Sequence, residues 1–241
     1  RGARIISINP LAERGLERFS FPQSPTDMLQ GHATTLSNEY YQVKMGGDAS
    51  LLKGIMKALI EMDEARILLG QEPCLDRAFL AEHTHGYQEL YDDLHRCRWA
   101  ELEQDSGLTR SQMEDLADRY DKSNATIICY GLDITQHKNG TENVQQLVNL
   151  LLLKGNMGKK GAGICPLRGH SNVQGDRSVG INEAASEAFL LRLEARFTIR
   201  VSRKHGRSSG EHSRYRAGRD ESAYLYGWQS GGSNAAAAAH L

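Results

Sequence analysis

No stretch of the 241-residue sequence approaches the 18 or so consecutive apolar residues expected of a membrane span. Nor is there a basic segment running into an apolar one, the pattern of an export leader. Together these absences set a cytoplasmic location as the expectation. Cysteine is sparse: Cys74, Cys97, Cys129 and Cys165 stand far apart, which excludes the short-spaced runs that hold zinc or an iron–sulfur cluster. Free thiols in a reducing compartment are expected instead. Neither sign of charge is in excess, with 29 Lys and Arg against 30 Asp and Glu, so no strong field selects a partner. An initiating methionine is also missing. Arg4–Ile8 reads as a strand of a parallel sheet, which ordinarily needs an earlier strand and a crossover, so the expectation is a piece of a longer protein.

The informative region runs from Tyr130 to Gly180. Ile127, Ile128, Cys129 and Tyr130 form a short apolar run stopped by Gly131, as in a buried strand of an α/β sheet. Gly140 or Thr141 can cap the helix that follows, with Glu142 well placed in its first turn. Val144, Leu147, Val148 and Leu150–Leu153 leave that helix little polar face, which predicts cover on most sides. Gly155 and Asn156 end it, since both tolerate the left-handed backbone of a helix stop. Gly158, Gly161 and Gly163 then enclose Lys159 and Lys160, a loop that can turn backbone N–H groups towards an anion. The segment from Cys165 to Gln174 is too polar for a core strand and gathers Arg168, His170, Ser171, Asn172 and Gln174 in few residues. The planar fork of Arg168 suits a carboxylate or phosphate.

On these residues the chain resembles the oxidoreductases that carry bis-molybdopterin guanine dinucleotide, in particular the branch like the formate dehydrogenase alpha subunit. The resemblance is carried by YGLDITQHKNGTENVQ, LLLLKGNMGKKGAG and PLRGHSNVQG, and by the opening GARIISINP with GGD and a helix further on; it covers roughly residues 1 to 197. It implies an α/β fold, a partial doubly wound (Rossmann-like) parallel sheet with flanking helices, within a larger multi-domain enzyme. It further implies molybdenum or tungsten held by two pterin dinucleotides, with a 4Fe–4S cluster in the missing N-terminal part. Formate or a similar small anion would be the substrate, and a redox partner protein would take the electrons. Arg168 matches the arginine that orients the substrate anion, with His170 beside it as the second catalytic candidate. His170, Asn172 and Gln174 match pterin-side hydrogen-bonding positions, and Gln136 and His137 line the same cavity. Gly131 turns the chain there, and Gly155, Asn156, Gly158 and Gly161 allow close backbone approach. Asn9 stands where the family usually has an Asp that reads guanine, and Gly47 with Asp48 belongs to the nucleotide end. No residue matches the metal-ligating cysteine or selenocysteine, so no metal ligand is assigned.

The remainder is read from local pattern. Residues 15–38 suggest a long ordered loop, Tyr40–Met45 a strand, and Asp48 the N-cap of a helix reaching about Asp63. Helices are expected over Leu75–Glu82, Gly86–Cys97, Thr109–Lys122 and Ala184–Phe197, the third beginning with capping-box spacing. His83 and His85 are two apart, on different faces of a helix with no third ligand near, and read as a surface turn. The division expected is a partial α/β cofactor-binding region over 1–74, a helical segment over 75–124, an α/β segment with the glycine-rich cofactor loop over 125–197, and a disordered or aberrant tail over 198–241. That tail scatters arginines among Ser and Gly, which leaves a nucleic-acid-binding module as an alternative function. A plain nucleotide-binding α/β domain, for NAD or a mononucleotide, is the other; it lacks a G-x-G-x-x-G after its first strand.

Overall fold

A computed structural model describes residues 2–21, 23–167, 169, 172–179 and 186–200. They fall into two units that divide after Leu167. In the first unit the elements are β1 (Ile6–Ile8), α1 (Arg14–Glu17), β2 (Arg18–Phe19), α2 (Pro25–Gln30), β3 (Thr34–Thr35), β4 (Glu39–Tyr41), α3 (Asp48–Leu68), α4 (Arg77–His83), α5 (Tyr87–Arg96), α6 (Trp99–Ser106), α7 (Arg110–Asp121), β5 (Ile127–Tyr130), α8 (Leu132–Thr135), α9 (Gly140–Leu153) and β6 (Gly163–Pro166). The fold is α/β with small parallel sheets and flanking helices, a partial Rossmann-like arrangement. β1 pairs in parallel with β4 and β5 with β6, while β2 and β3 form a short antiparallel pair. No helix among the described residues is long and apolar enough to cross a membrane.

Helix α3 is the hub. Its run of Leu51, Leu52, Ile55, Met56, Leu59 and Ile60 is buried on nearly every side, because α5, α6, α7 and α9 all pack against it. Gly54 makes the α7 contact that close: a Cβ there would lie 2.1 Å from the Met113 Sδ. The helix continues past the expected stop near Asp63 to an exposed end at Leu68, since Asp63 is itself inside and satisfied. Its carboxylate accepts the Leu75 backbone N–H at 2.9 Å and the Arg77 guanidinium at 3.1 and 2.5 Å. Lys57 is also buried, and its Nζ donates to the Leu94 carbonyl at 3.0 Å, at the negative end of α5.

The ends of α7 and α9 are joined by polar links. Tyr120 donates its hydroxyl to the Leu150 carbonyl at 2.9 Å and accepts from Asn156 Nδ2 at 2.9 Å. Burial raises the Tyr120 hydroxyl well above its ordinary pKa. Asp121 accepts from Lys154 Nζ at 2.9 Å and from Arg66 of α3. Burial alone would raise the Asp121 carboxyl, but hydrogen bonds from Lys154 and Arg66 outweigh it and hold it below the usual carboxylate range. The stabilisation from a lowered carboxyl is full above the unfolded value and fades as pH falls through the folded one. Asp121→Asn should therefore cost about 2 kcal/mol in urea unfolding at pH 7, and clearly less at pH 3. An equal cost at both pH values would refute the ion-pair reading.

Several expected elements recur with shifted ends. The strand at Ile127–Tyr130 has the expected limits, while the first strand begins at Ile6 and the second spans Glu39–Tyr41. The capping box at Thr109 forms in both directions, with Gln112 N to Thr109 Oγ1 at 3.3 Å and Thr109 N to Gln112 Oε1 at 2.9 Å. Asp48 is the first residue of α3 and Gly47 is its cap; α9 likewise is preceded by Asn139 rather than capped by Gly140 or Thr141. The stretch over 15–38 contains short helices and strands, not only loop. In the second unit, α10 covers Val173–Ser178, and α11 covers Glu187–Phe197 with Ser186 accepting from Phe189 N at 3.3 Å. Residues 181–185, where α11 was expected to begin, and 201–241, most of the expected tail, lie outside the described residues.

Candidate cofactor-binding site

The last residue of a parallel strand and the first turn of the following helix direct polar groups to the same sheet edge, which is where α/β folds place ligands. Here Asn9 follows β1, Asp48 opens α3, Gly131 follows β5, and Gln136 and His137 follow the short helix α8. The structure brings these five, with Gly161, around one cavity of 1140 Å³ within the first unit. More than 120 residues separate Asn9 from His137 in the chain, so only the fold can unite them.

The rim carries two chemistries. Asn9 spends its Nδ2 on the Leu11 carbonyl at 2.8 Å, which leaves its side-chain oxygen as the acceptor on offer. Burial raises the Asp48 carboxyl above its usual range, against the lowering influence of its own backbone hydrogen bond and of His137, while the nearby Asp133 adds to the rise. Acceptors at Asn9 and Asp48 suit the N–H donors of a base or the hydroxyls of a ribose, and the Asp48 carboxylate would repel a phosphate. Gln136 and His137 supply donors, and so favour the anionic part of a ligand. The residues present therefore fit a nucleotide laid along the rim. Behind it the wall is apolar: Ile6, Leu51, Leu52, Ile128, Leu147 and Leu150.

The glycines divide by role. Gly46, with φ +78° and open space around it, lines the cavity. Gly47 is buried against the end of α6, where a Cβ would meet the Asp105 carbonyl oxygen at 2.5 Å and the Ser106 Cα at 2.9 Å. Gly155 closes α9: its N–H donates to the Leu152 carbonyl at 3.0 Å, and Asn156 N donates to that of Leu151 at 2.9 Å. This is the Schellman pattern, with Gly155 at φ +59°. The Asn156 side chain is buried and holds Tyr120 and the Thr126 N–H, so Gly155 and Asn156 spend these groups inside the unit. Gly158 is exposed and does not line the cavity. Asn172 and Gln174 lie in the second unit, both exposed, at the start of α10. Arg168 and His170 lie outside the described residues. Sequence reading passed over Asp133 and Gly46, although the GGD triplet and the LDIT turn already contained both.

No protein-family model matches the chain. It is 57% identical over 197 residues to Protein YdeP of Escherichia coli (strain K12), an alignment covering 82% of this chain and 26% of that protein. It is 38% identical over 210 residues to a Mycobacterium bovis protein named uncharacterized oxidoreductase Mb2924c, covering 85% of this chain and 26% of that one. A Staphylococcus aureus protein named putative formate dehydrogenase SAUSA300_2258 is 28% identical over 214 residues, covering 85% and 21%. The chain thus spans about a quarter of the length of the curated relatives it matches.

Proposed function

We propose that this chain is part of the cofactor-binding α/β region of a longer molybdenum- or tungsten-dependent oxidoreductase similar to formate dehydrogenase. The observation that carries the reading is the convergence of Asn9, Asp48, Gly131, Gln136 and His137 on one cavity at the sheet edge. Relatives named as an oxidoreductase and a putative formate dehydrogenase support it. When bound, the metal and its pterin dinucleotides would supply the redox chemistry, and the protein would supply position and electrostatics. Asn9 and Asp48 would receive the donors of the guanine or ribose. Gln136 and His137 would hold the more anionic part, and Gly46 would let the backbone approach. For Arg168, His170, Asn172 and Gln174 the proposal rests on the resemblance: Arg168 orients the substrate anion and the other three hydrogen-bond the pterin side.

The test is metal and pterin analysis of the longer polypeptide, wild type against Asp48→Ala and His137→Ala. The expected result is molybdenum or tungsten with two guanine nucleotides in the wild type. Retention should fall about tenfold in each variant, the loss of one or two charge-assisted hydrogen bonds. Arg168→Ala should keep the cofactor and lose formate-driven dye reduction. A well-folded polypeptide with neither metal nor pterin would overturn the proposal, and NAD or a mononucleotide found in their place would favour the plain nucleotide-binding reading.

A further inference from the structure

The cavity has a second property, independent of its rim: it separates two strands that, among the described residues, each lack a neighbour on one side. In β1, the Ile5 carbonyl accepts from Asn38 N at 2.8 Å and Asn9 N donates to the Tyr41 carbonyl at 3.1 Å, so the odd-numbered residues face β4. Alternation along a parallel strand then turns the N–H and C=O groups of Ile6 and Ile8 to the opposite edge. In β5, the Thr126 carbonyl accepts from Gly163 N at 3.0 Å and the Tyr130 carbonyl from Leu167 N at 2.7 Å, so the even-numbered residues face β6. The backbone groups of Ile127 and Cys129 point the other way. The whole run from Thr126 to Tyr130 lines the cavity, as do Ile6 and Ile8, whereas no residue of β4 or β6 does. Both open edges thus bound the same space.

We infer that the apolar body of this cavity is a slot for one additional β-strand, supplied by the part of the longer polypeptide outside this chain, and that it completes a single parallel sheet in the order β4–β1–added strand–β5–β6. Four features commit the slot to that occupant. A strand of about five residues, with its share of strand and sheet spacing, fills roughly 800 Å³, which the 1140 Å³ cavity holds with the rim to spare. The body is apolar, with Ile6, Leu51, Ile55, Ile128 and Leu150 on its walls, as a strand covered by helices requires. Only an extended backbone can satisfy at once two facing rows of N–H and C=O groups that have no partner among the described residues. Relatives about four times as long as the aligned segment have ample chain to provide it. In the completed order, the chain winds outward from the added strand through β1 to β4, then returns to β5 and β6 on its other side. That reversal is a topological switch point, and the rim of Asn9, Asp48, Gly131, Gln136 and His137 sits at it.

The inference rests on strand edges and does not require the cofactor reading, so the test uses cofactor-free protein. Residue-resolved amide hydrogen exchange is measured on this chain and on the longer polypeptide. The expected result is that the amides of Ile6, Ile8, Ile127 and Cys129 exchange quickly in this chain and about 100-fold more slowly in the longer one. Unchanged rates at these four positions would overturn the inference. So would protection that appears only on loading with GDP, which assigns the space to a ligand, or only at high concentration of this chain, which assigns it to a second copy. If Leu59 shows that this chain alone is not folded, the four amides are judged within the longer polypeptide: rates within about tenfold of Leu59 are expected, and solvent-like rates overturn the inference.

Discussion

Asp63→Ala should lower the unfolding free energy by about 4 kcal/mol, a fall of roughly 8–16 °C in Tm for a unit of this size. The carboxylate is 1% exposed and makes three bonds: to the Leu75 N–H and, twice, to Arg77. Alanine leaves the Leu75 N–H buried without an acceptor, and a buried donor costs far more unpaired than a pair contributes. Arg77 is half-exposed and regains water, so its share of the loss is the smaller one. The bonds also tie the last third of α3 to the start of α4, so the loss should extend to the segment between them. Asp63→Asn retains an acceptor for Leu75 and should recover about half of the deficit. Urea titration of the three proteins decides the matter, and a loss below about 1 kcal/mol for alanine would mean that these bonds do not form.

Gly47→Ala is the second large effect, expected at about 3 kcal/mol. The atoms a Cβ would strike belong to the backbone: the carbonyl oxygens of Asp105 and Lys44 and the Cα of Ser106. Backbone cannot rotate aside as a side chain does, so either α3 or the end of α6 must shift. Because Asp48 is the next residue, that shift also moves the rim. Gly47→Ala should therefore lose stability and nucleotide retention together, whereas Gly46→Ala, with open space around it, should retain the packing and suffer only from its positive φ. Thermal melts of both variants, read beside their cofactor content, separate the two. Equal stability in both would refute the packing role of Gly47.

Elements with a local chemical signal were legible in the sequence. The Thr109 capping box, the Ile127–Tyr130 run and the Gly155–Asn156 stop each depend on a few neighbouring residues, and each forms. Helix α6 lies inside the segment expected to be helical but was not singled out, because WAELEQDS has little apolar stripe; only Leu102 and Ser106 are buried. Strand β6 was missed because GICP follows a glycine loop and does not alternate; its pairing with β5 decides its form. At the site, the residue types could be read from the chain, but the division of labour between Gly46 and Gly47 could not. That depends on α6, nearly sixty residues further on, approaching one glycine and not the other. The open strand edges were equally hidden, since an edge exists only once the pairings are known.

The parallel pairs also bear on how the chain acquires its structure. Paired residues of β1 and β4, and of β5 and β6, are about thirty-five apart, and α3 finds α5, α6 and α7 within the next seventy or so. Contacts of such modest separation close small loops and form quickly. The helices from α3 to α7 can therefore assemble as an early nucleus while the polypeptide is still being made, with each strand pair joining as its second member emerges. The docking of α9 onto α3 spans the longest interval of these packings and is expected to come late in the folding of this unit.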